Sequence, residues 1–411
     1  MRAPFLTVLA ALSLLCASCA LSDRGEPPVV AKPSAPPTPS APAPALAPSA
    51  PDEHQTRERM GEIFAAMRFL LPLSLDERAF EDPTRKKRIR DALALLEGSA
   101  ASLAEHGASR EVPFSHLARS LAIDARNIRG RYEEGHVREV RYLVQTLTET
   151  CVACHSRLPA ASDAPRSEAF LEDAEVRELP IEQRAKLAYA TRQFDDAVAL
   201  YETILLDRSF RAKDLELQGQ LDDYLQLAIR VRGEPARAQA TLKRFSTRKD
   251  LSPILRGRVQ HWIAALERLV ERGPVTSPVE VARAEIEQAR AGHPQEDERD
   301  ELVAYLDASS LLHRYLVDGR APHEDQAEAY YLLGVIETRI GRIYWLTQAE
   351  AYLETAIRLA PGEPIAKDAY ALLEDFLVGN SGVAGHVPRD IREKLDSLRK
   401  ISEGEVPAAR N

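Results

Sequence analysis

The chain has 411 residues, a net charge of −9 and a pI near 5.7, so it lacks the basic surface that nucleic-acid binding requires. Aromatic residues make up only 6% and glycine is sparse, while long stretches rich in Ala, Leu, Glu and Arg carry no strand-period pattern. We therefore expect an all-α protein whose length allows two or three domains.

Residues 1–19 predict a lipoprotein-type signal peptide. Arg2 precedes an apolar run that ends in small residues and is too short for a membrane span. The segment Cys16 to Cys19 resembles the bacterial lipobox, which implies lipidation of Cys19, although Cys16 stands where an aliphatic residue is usual. Cleavage after Ala20 without lipidation is the alternative. We expect export to the periplasm or cell envelope, with a lipid anchor to the membrane.

Residues 20–51 are dominated by Pro, Ala and Ser, most strongly from Glu26 onward. This composition predicts a solvated polyproline-like tether of about 3 Å per residue. Such a tether either holds the folded part away from a membrane or is a flexible leader with no mechanical role.

Residues 52–160 predict four helices in an up-down-up-down antiparallel bundle, because long helical stretches are separated by short runs with Pro or Gly. The expected helices cover 52–71, 83–107, 113–130 and 136–155, with the first ending at Pro72. In the fourth helix, apolar side chains and thiols recur at spacings of three and four: Val137, Val140, Val144, Leu147, Cys151 and Cys154.

The sequence CVACH at 151–155 has the spacing of a c-type haem attachment site. Cys151 and Cys154 lie one helical turn apart and can each form a thioether to a haem vinyl group, while His155 binds the iron. Because such a haem is attached after export, the predicted signal peptide and this motif support each other.

The thiol pair has three other conceivable uses: a zinc site, a redox pair and a plain disulfide. A structural zinc site usually needs a second Cys or His pair at ligand spacing, and the chain after the signal peptide has none. A redox pair is expected at the start of a helix that follows a strand, whereas this pair comes at the end of a predicted helix. A plain disulfide remains open as the third use.

With these motifs in view, residues 52–160 resemble the cytochrome c prime family, whose four-helix bundle carries CxxCH near the end of its last helix. Low-spin relatives add a methionine from the first helix as sixth iron ligand, with a basic residue shortly before it and a second methionine seven residues later. Arg57, Met60 and Met67 match that stretch. Positions 158 and 159 hold Leu and Pro, where family members often carry an aromatic residue and an arginine.

The sixth ligand decides the chemistry. If Met60 binds iron opposite His155, a low-spin haem suited to electron transfer results; if Met60 only packs in the core, the iron stays open to nitric oxide or carbon monoxide. His54 is the rival ligand, and three other histidines, His106, His116 and His136, are expected at the surface. Arg57 and Arg59 either pair with the haem propionates or are simply solvated.

After a connector at 161–178, residues 179–402 predict helix pairs that resemble tetratricopeptide repeats, followed by a disordered tail at 403–411. In the first unit the matching positions are Tyr189, Phe194, Ala197, Tyr201 and Ile204. A looser unit spans 215–248, and a third includes Leu333, Gly334, Ala349, Tyr352 and Ala356. The resemblance implies a solenoid that binds a protein partner, against the alternative of a scaffold that contacts only its own haem domain.

Together these features predict an envelope-anchored monohaem c-type cytochrome that transfers single electrons and docks a partner through its repeats. A haem-based gas sensor is the first alternative, and a haem-free scaffold lipoprotein with a disulfide at CVACH is the second. No paired carboxylates, nucleophile elbow or phosphate loop stands out, so we expect an electron-transfer protein, with a redox partner, rather than an enzyme.

Overall fold

The computed structural model describes residues 51–107, 112–156, 174–292, 299–317, 322–341, 348–380 and 387–405. Within these ranges every regular element is a helix, which confirms the predicted all-α class. None of the described helices is both long enough and apolar enough to cross a membrane. The predicted signal peptide, the tether and Cys19 lie outside the described residues.

Five helices form the N-terminal part. They are α1 (Pro51–Leu75), α2 (Glu77–Glu81), α3 (Lys86–Gly107), α4 (Val112–Glu133) and α5 (Val137–His155). Contacts join α1 to α3 and α5, and α4 to α3 and α5. The long helices bury a shared apolar cluster that includes Leu70, Ile89, Leu93, Leu96, Ala125, Val140 and Val144. Each large aliphatic side chain contributes about 1.5–3 kcal/mol by this burial.

The first helix does not end at Pro72 as expected but continues to Leu75. A proline inside a helix usually removes a hydrogen bond and distorts the backbone. Here the last turn gains other partners: the Ser74 hydroxyl donates to the Leu71 carbonyl at 2.7 Å, and the Ser74 carbonyl accepts from Arg141 Nε at 3.0 Å and Gln145 Nε2 at 2.9 Å. Tertiary contacts with α5 therefore outweigh the local signal of the proline.

A short helix, α2, follows directly and was not expected from the sequence. Asp76 caps it, because one carboxylate oxygen accepts from the backbone amides of Arg78 at 2.9 Å and Ala79 at 3.2 Å. Phe80 fixes this helix to the core, where its ring meets Tyr132 edge to face with centroids 6.2 Å apart.

The remaining elements follow in sequence: α6 (Ala174–Arg177), α7 (Ile181–Ala190), α8 (Phe194–Leu206), α9 (Ala212–Leu217), α10 (Gln220–Leu225), a π-helical continuation (Gln226–Val231), α11 (Pro235–Phe245), α12 (Pro253–Glu271), α13 (Pro278–Gly292), α14 (Leu302–Val317), α15 (His323–Ile340), α16 (Ala349–Leu359), α17 (Pro364–Asn380) and α18 (Arg389–Ser402). Many successive helices contact one another in pairs, among them α7 with α8, α13 with α14 and α15 with α16. The short helix α6 lies inside the predicted connector at 161–178.

The positions predicted to fill the first helix pair are all buried: Tyr189, Phe194, Ala197, Tyr201 and Ile204. A close approach marks the later pair, where a Cβ atom at Gly334 would lie 2.5 Å from Leu353 Cδ2. Glycine is required there because α15 and α16 touch at that point. Tyr344 and Trp345, in the turn between those helices, lie outside the described residues.

The N-terminal helices and the following helices share their apolar packing. Val152 of α5 belongs to the large cluster built from α7 to α16, while Val176 and Leu187 belong to the cluster of the N-terminal helices. Contacts also join α5 to α7, and α4 to α16. All described helices fall within one compact unit that begins at Ser49.

Candidate functional site

The CVACH motif occupies the last turn of α5, as the sequence predicted. Cys151 and Cys154 form no disulfide, and both are half-buried. Their spacing of three puts both sulfurs near one face of the helix. The two side chains can therefore hold one flat ligand at two points, which is the arrangement that a covalent haem needs.

His155 is buried, with 9% of its surface exposed, and its ring orientation is fixed from outside α5. Its Nδ1 lies 2.7 Å from the carbonyl oxygen of Ala190, the last residue of α7. Because a carbonyl only accepts, Nδ1 must carry the hydrogen, and the neutral ring keeps its lone pair on Nε2. Burial, with the charge of Arg192 as a second cause, lowers the pKa of His155 to about 4. The histidine is thus neutral at pH 7, in the form that binds a metal.

Cys151 packs against the apolar cluster of the later helices and donates weakly to the Leu147 carbonyl at 3.5 Å. Although the side chain keeps some exposure, burial raises the pKa of Cys151 to about 12. A reactive redox thiol needs the opposite shift, and a zinc-bound cysteine must ionise. The environment therefore favours a protonated, apolar thiol over either alternative use.

Met60 lies near the level of His155 along the axes of α1 and α5. The helices are antiparallel, and the contacts of Ser74 with Arg141 and Gln145 put Ser74 level with about residue 143. Met60 lies fourteen residues, or about 21 Å, before Ser74 along the axis of α1. The same distance from residue 143 along the axis of α5 ends about two residues, or about 3 Å, past His155, where that helix ends. Met60 is half-buried against the N-terminal cluster, and Met67 is buried within it. Met60 as a sixth ligand stays a prediction.

The rival histidines differ in exposure. His54, the rival to Met60, is exposed. Of the three histidines expected at the surface, His136 is exposed, whereas His106 and His116 are half-buried. The ring of His106 is 2.7 Å from the Ser102 carbonyl through Nδ1. His136 lies just before α5, at the opposite end of that helix from CVACH.

The two basic residues considered from the sequence, Arg57 and Arg59, differ in their surroundings. Arg57 is exposed, and Arg59 is engaged by Glu62 through both carboxylate oxygens, at 2.8 and 3.0 Å. The basic residue whose charge acts on His155 is Arg192, in the turn after α7. Nothing in the local sequence pointed to Arg192, because its nearness to His155 comes from packing between helices 35 residues apart.

A half-buried charge cluster begins two residues before Cys151 and links three helices. Lys186 Nζ of α7 lies 2.9 Å from Glu149 of α5 and 3.0 Å from Asp223 of α10. The Tyr201 hydroxyl donates to Asp223 at 2.8 Å. Burial raises the pKa of Glu149, and the two carboxylates together raise that of Lys186 against its own burial. This cluster ties the end of α5 to the helix pairs that follow.

Two further features bear on the location of a site. Among the described residues, no three His, Cys, Asp or Glu side chains form a group that could hold a metal ion. Haem iron does not need such a group, since the porphyrin supplies four of its ligands. A cavity of about 700 Å³ lies at the far end of α5, lined by residues such as Tyr132, His136 and Arg138. It is some 21 Å from Cys151 along the helix and is not the CVACH site.

Arg157, Leu158 and Pro159, which follow the motif, lie outside the described residues. Comparison with known proteins adds no relative: no family model, curated protein or solved structure matches the chain.

Proposed function

We propose that this protein is an exported monohaem c-type cytochrome that transfers single electrons. The observation that carries the proposal is the setting of His155: it is buried, neutral and held by Ala190 through Nδ1, on the same helical turn as two cysteines that form no disulfide. A metal-binding histidine typically donates its other ring hydrogen in this way, which fixes the tautomer and the ring orientation.

In this proposal each residue has a separate task. Cys151 and Cys154 hold the haem through thioethers, His155 binds the iron through Nε2, and the Ala190 carbonyl keeps the imidazole in place. The haem iron supplies a one-electron couple whose potential depends on ligands and burial. The apolar surroundings of Cys151 exclude water from one side of the site.

The proposed architecture is a four-helix bundle made by α1, α3, α4 and α5, followed by a solenoid of tetratricopeptide-like pairs. The antiparallel ion pairs between α3 and α4, such as Arg90 with Glu133 at 3.1 Å and Glu97 with Arg129 at 2.7 Å, support the bundle. The buried aromatic residues of α7 and α8 support the repeat. We further propose a lipid anchor at Cys19, a redox partner, and a protein partner docked on the repeats.

A gas-binding sensor is the second candidate, and the level of Met60 is the observation that keeps it open. The axial register carries Met60 about two residues beyond His155, and the methionine side chain would have to span that offset to bind the iron. If it does not, the iron has an open position for nitric oxide or carbon monoxide. A haem-free scaffold with a disulfide between the thiols is the third candidate.

The full chain, co-expressed with a haem maturation system and separated by denaturing electrophoresis, tests the proposal by haem staining. We expect a stained band that disappears in a Cys151→Ser, Cys154→Ser double variant. A His155→Ala variant is the matched control: it retains both thiols but changes the absorption spectrum. A wild-type protein without covalent haem contradicts both haem candidates and favours the scaffold.

A further inference from the structure

Arg192 occupies a backbone position that normally belongs to glycine. It lies in the turn between α7 and α8 with φ of 66°, and it is the one non-glycine residue with positive φ in the described part of the chain. The amide of Arg192 donates to the Tyr189 carbonyl at 3.1 Å, and that of Gln193 donates to the Ala188 carbonyl at 2.8 Å. This is the Schellman end of a helix, and its left-handed position is usually Gly because a Cβ atom is strained there.

The same turn presents the iron ligand's partner. Arg192 follows Ala190 by two residues, and the Ala190 carbonyl is 2.7 Å from His155. The strained turn therefore carries a long cationic side chain two residues from the carbonyl group that holds His155. A glycine would close the same turn without strain but would bring no charge.

The guanidinium of Arg192 has no carboxylate partner among the described residues, and its Nε is buried without an acceptor. Two other arginines do have carboxylate partners, although the Nε of one of them, Arg232, is also buried without an acceptor. Arg232 pairs with Asp195 at 2.7 Å, and Arg237 pairs with Glu202 at 2.8 Å. A partly buried arginine without an anion leaves its strongest interaction unmade, since arginine and carboxylate groups pair through two parallel hydrogen bonds.

We infer that Arg192 binds a propionate carboxylate of the haem attached at Cys151 and Cys154. The inference rests on the proposed function, because it needs that cofactor. It replaces the two arginines considered from the sequence: Arg59 is already occupied by Glu62, and Arg57 is exposed on α1. Arg192 thus makes the first repeat turn part of the cofactor site and not only of a docking surface.

The test uses the full-length matured protein and its midpoint potential between pH 5 and 8. Arg192→Gln and Arg192→Gly both remove the charge, and the glycine variant suits the left-handed turn, so its folding is not at risk from strain. Arg208→Gln is the matched control, since Arg208 is an exposed arginine of the next turn. Arg57→Gln tests the competing site.

We expect every variant to keep covalent haem by staining. At pH 8, loss of the Arg192 charge lowers the reduction equilibrium constant about tenfold, which is about 59 mV for one electron. The shift is smaller at pH 5, because an unpaired propionate is partly protonated there. Arg192→Lys keeps the charge and restores most of the potential.

The outcomes separate the two proposals. A wild-type protein without covalent haem overturns both. A haem-loaded Arg192→Gly variant whose potential and pH dependence match those of Arg208→Gln overturns this inference and leaves the proposed function intact. A shift seen in Arg57→Gln but not in the Arg192 variants also overturns it.

Discussion

Replacing Lys186 with Met removes the cation that separates two carboxylates beneath the CVACH turn. Glu149 and Asp223 lie 2.9 and 3.0 Å from the lysine nitrogen. Breaking a buried ion pair costs about 3–5 kcal/mol. The lower end applies here because 22% of the Lys186 side chain and 28% of that of Glu149 are exposed. We therefore expect the free energy of unfolding to fall by about 3 kcal/mol.

Urea denaturation followed by circular dichroism measures this loss. With a slope of about 3 kcal/mol per M, the midpoint of Lys186→Met falls by about 1 M relative to the wild type. Lys213→Met is the matched control, because Lys213 is exposed on α9. Adding Glu149→Gln to Lys186→Met restores much of the stability, because one of the two uncompensated charges is then gone.

The effect of Lys186→Met depends on pH in a defined direction. Burial already raises the pKa of Glu149 above the ordinary value of 4.5, so the folded state binds that proton more tightly than the unfolded state. Stability therefore falls as pH rises through the folded pKa, and loss of the lysine raises that pKa further. We expect the deficit of the variant to be small below pH 4.5 and largest at neutral pH. A deficit under 1 kcal/mol, or one independent of pH, would refute the reasoning.

Three further changes have distinct expected outcomes. Met60→Ala in the matured protein abolishes the weak far-red band of methionine-sulfur ligation if Met60 is the sixth ligand, and an unchanged visible spectrum rules that ligand out. Gly334→Ala lowers the free energy of unfolding by about 1–3 kcal/mol, because the new Cβ atom overlaps with Leu353. Gly98 has open space around it, so Gly98→Ala raises the free energy of unfolding by up to about 1 kcal/mol. Equal effects of the two substitutions in thermal melts contradict the close packing at Gly334. Asp76→Ala costs about 1 kcal/mol by uncapping α2, and a melting temperature equal to that of the wild type argues against the cap.

Local signals predicted the parts of the fold that local chemistry decides. The start of α3, its end and the start of α4 lie within about three residues of Pro83, Gly107 and Pro113, because helix breakers act locally. The CVACH spacing likewise needs only one helical turn. Pro72 failed as a stop signal because its cost is offset by side chains of α5, about 70 residues away.

The surroundings of the candidate site were not predictable for the same reason. His155 is held by a backbone carbonyl group, which every residue type carries, so no side-chain motif predicts this hydrogen bond. The position of Arg192 could not be predicted either, since arginine has no preference for the left-handed turn that it occupies. The surroundings of His155 depend on how α7 packs against α5. A local sequence pattern does not predict how two helices 35 residues apart pack together.

The hydrogen bond between His155 and the Ala190 carbonyl also bears on the order of the maturation steps. If the chain is exported from its N-terminus, as proposed, residues 151–155 cross the membrane before residues 181–190. If haem is attached before the later helices fold, the two thioethers form first, and the imidazole acquires its fixed orientation only when α7 packs against α5. Folding of the helix pairs is then the last step of maturation, and a chain truncated before Ala190 retains its haem with the histidine ring free to turn.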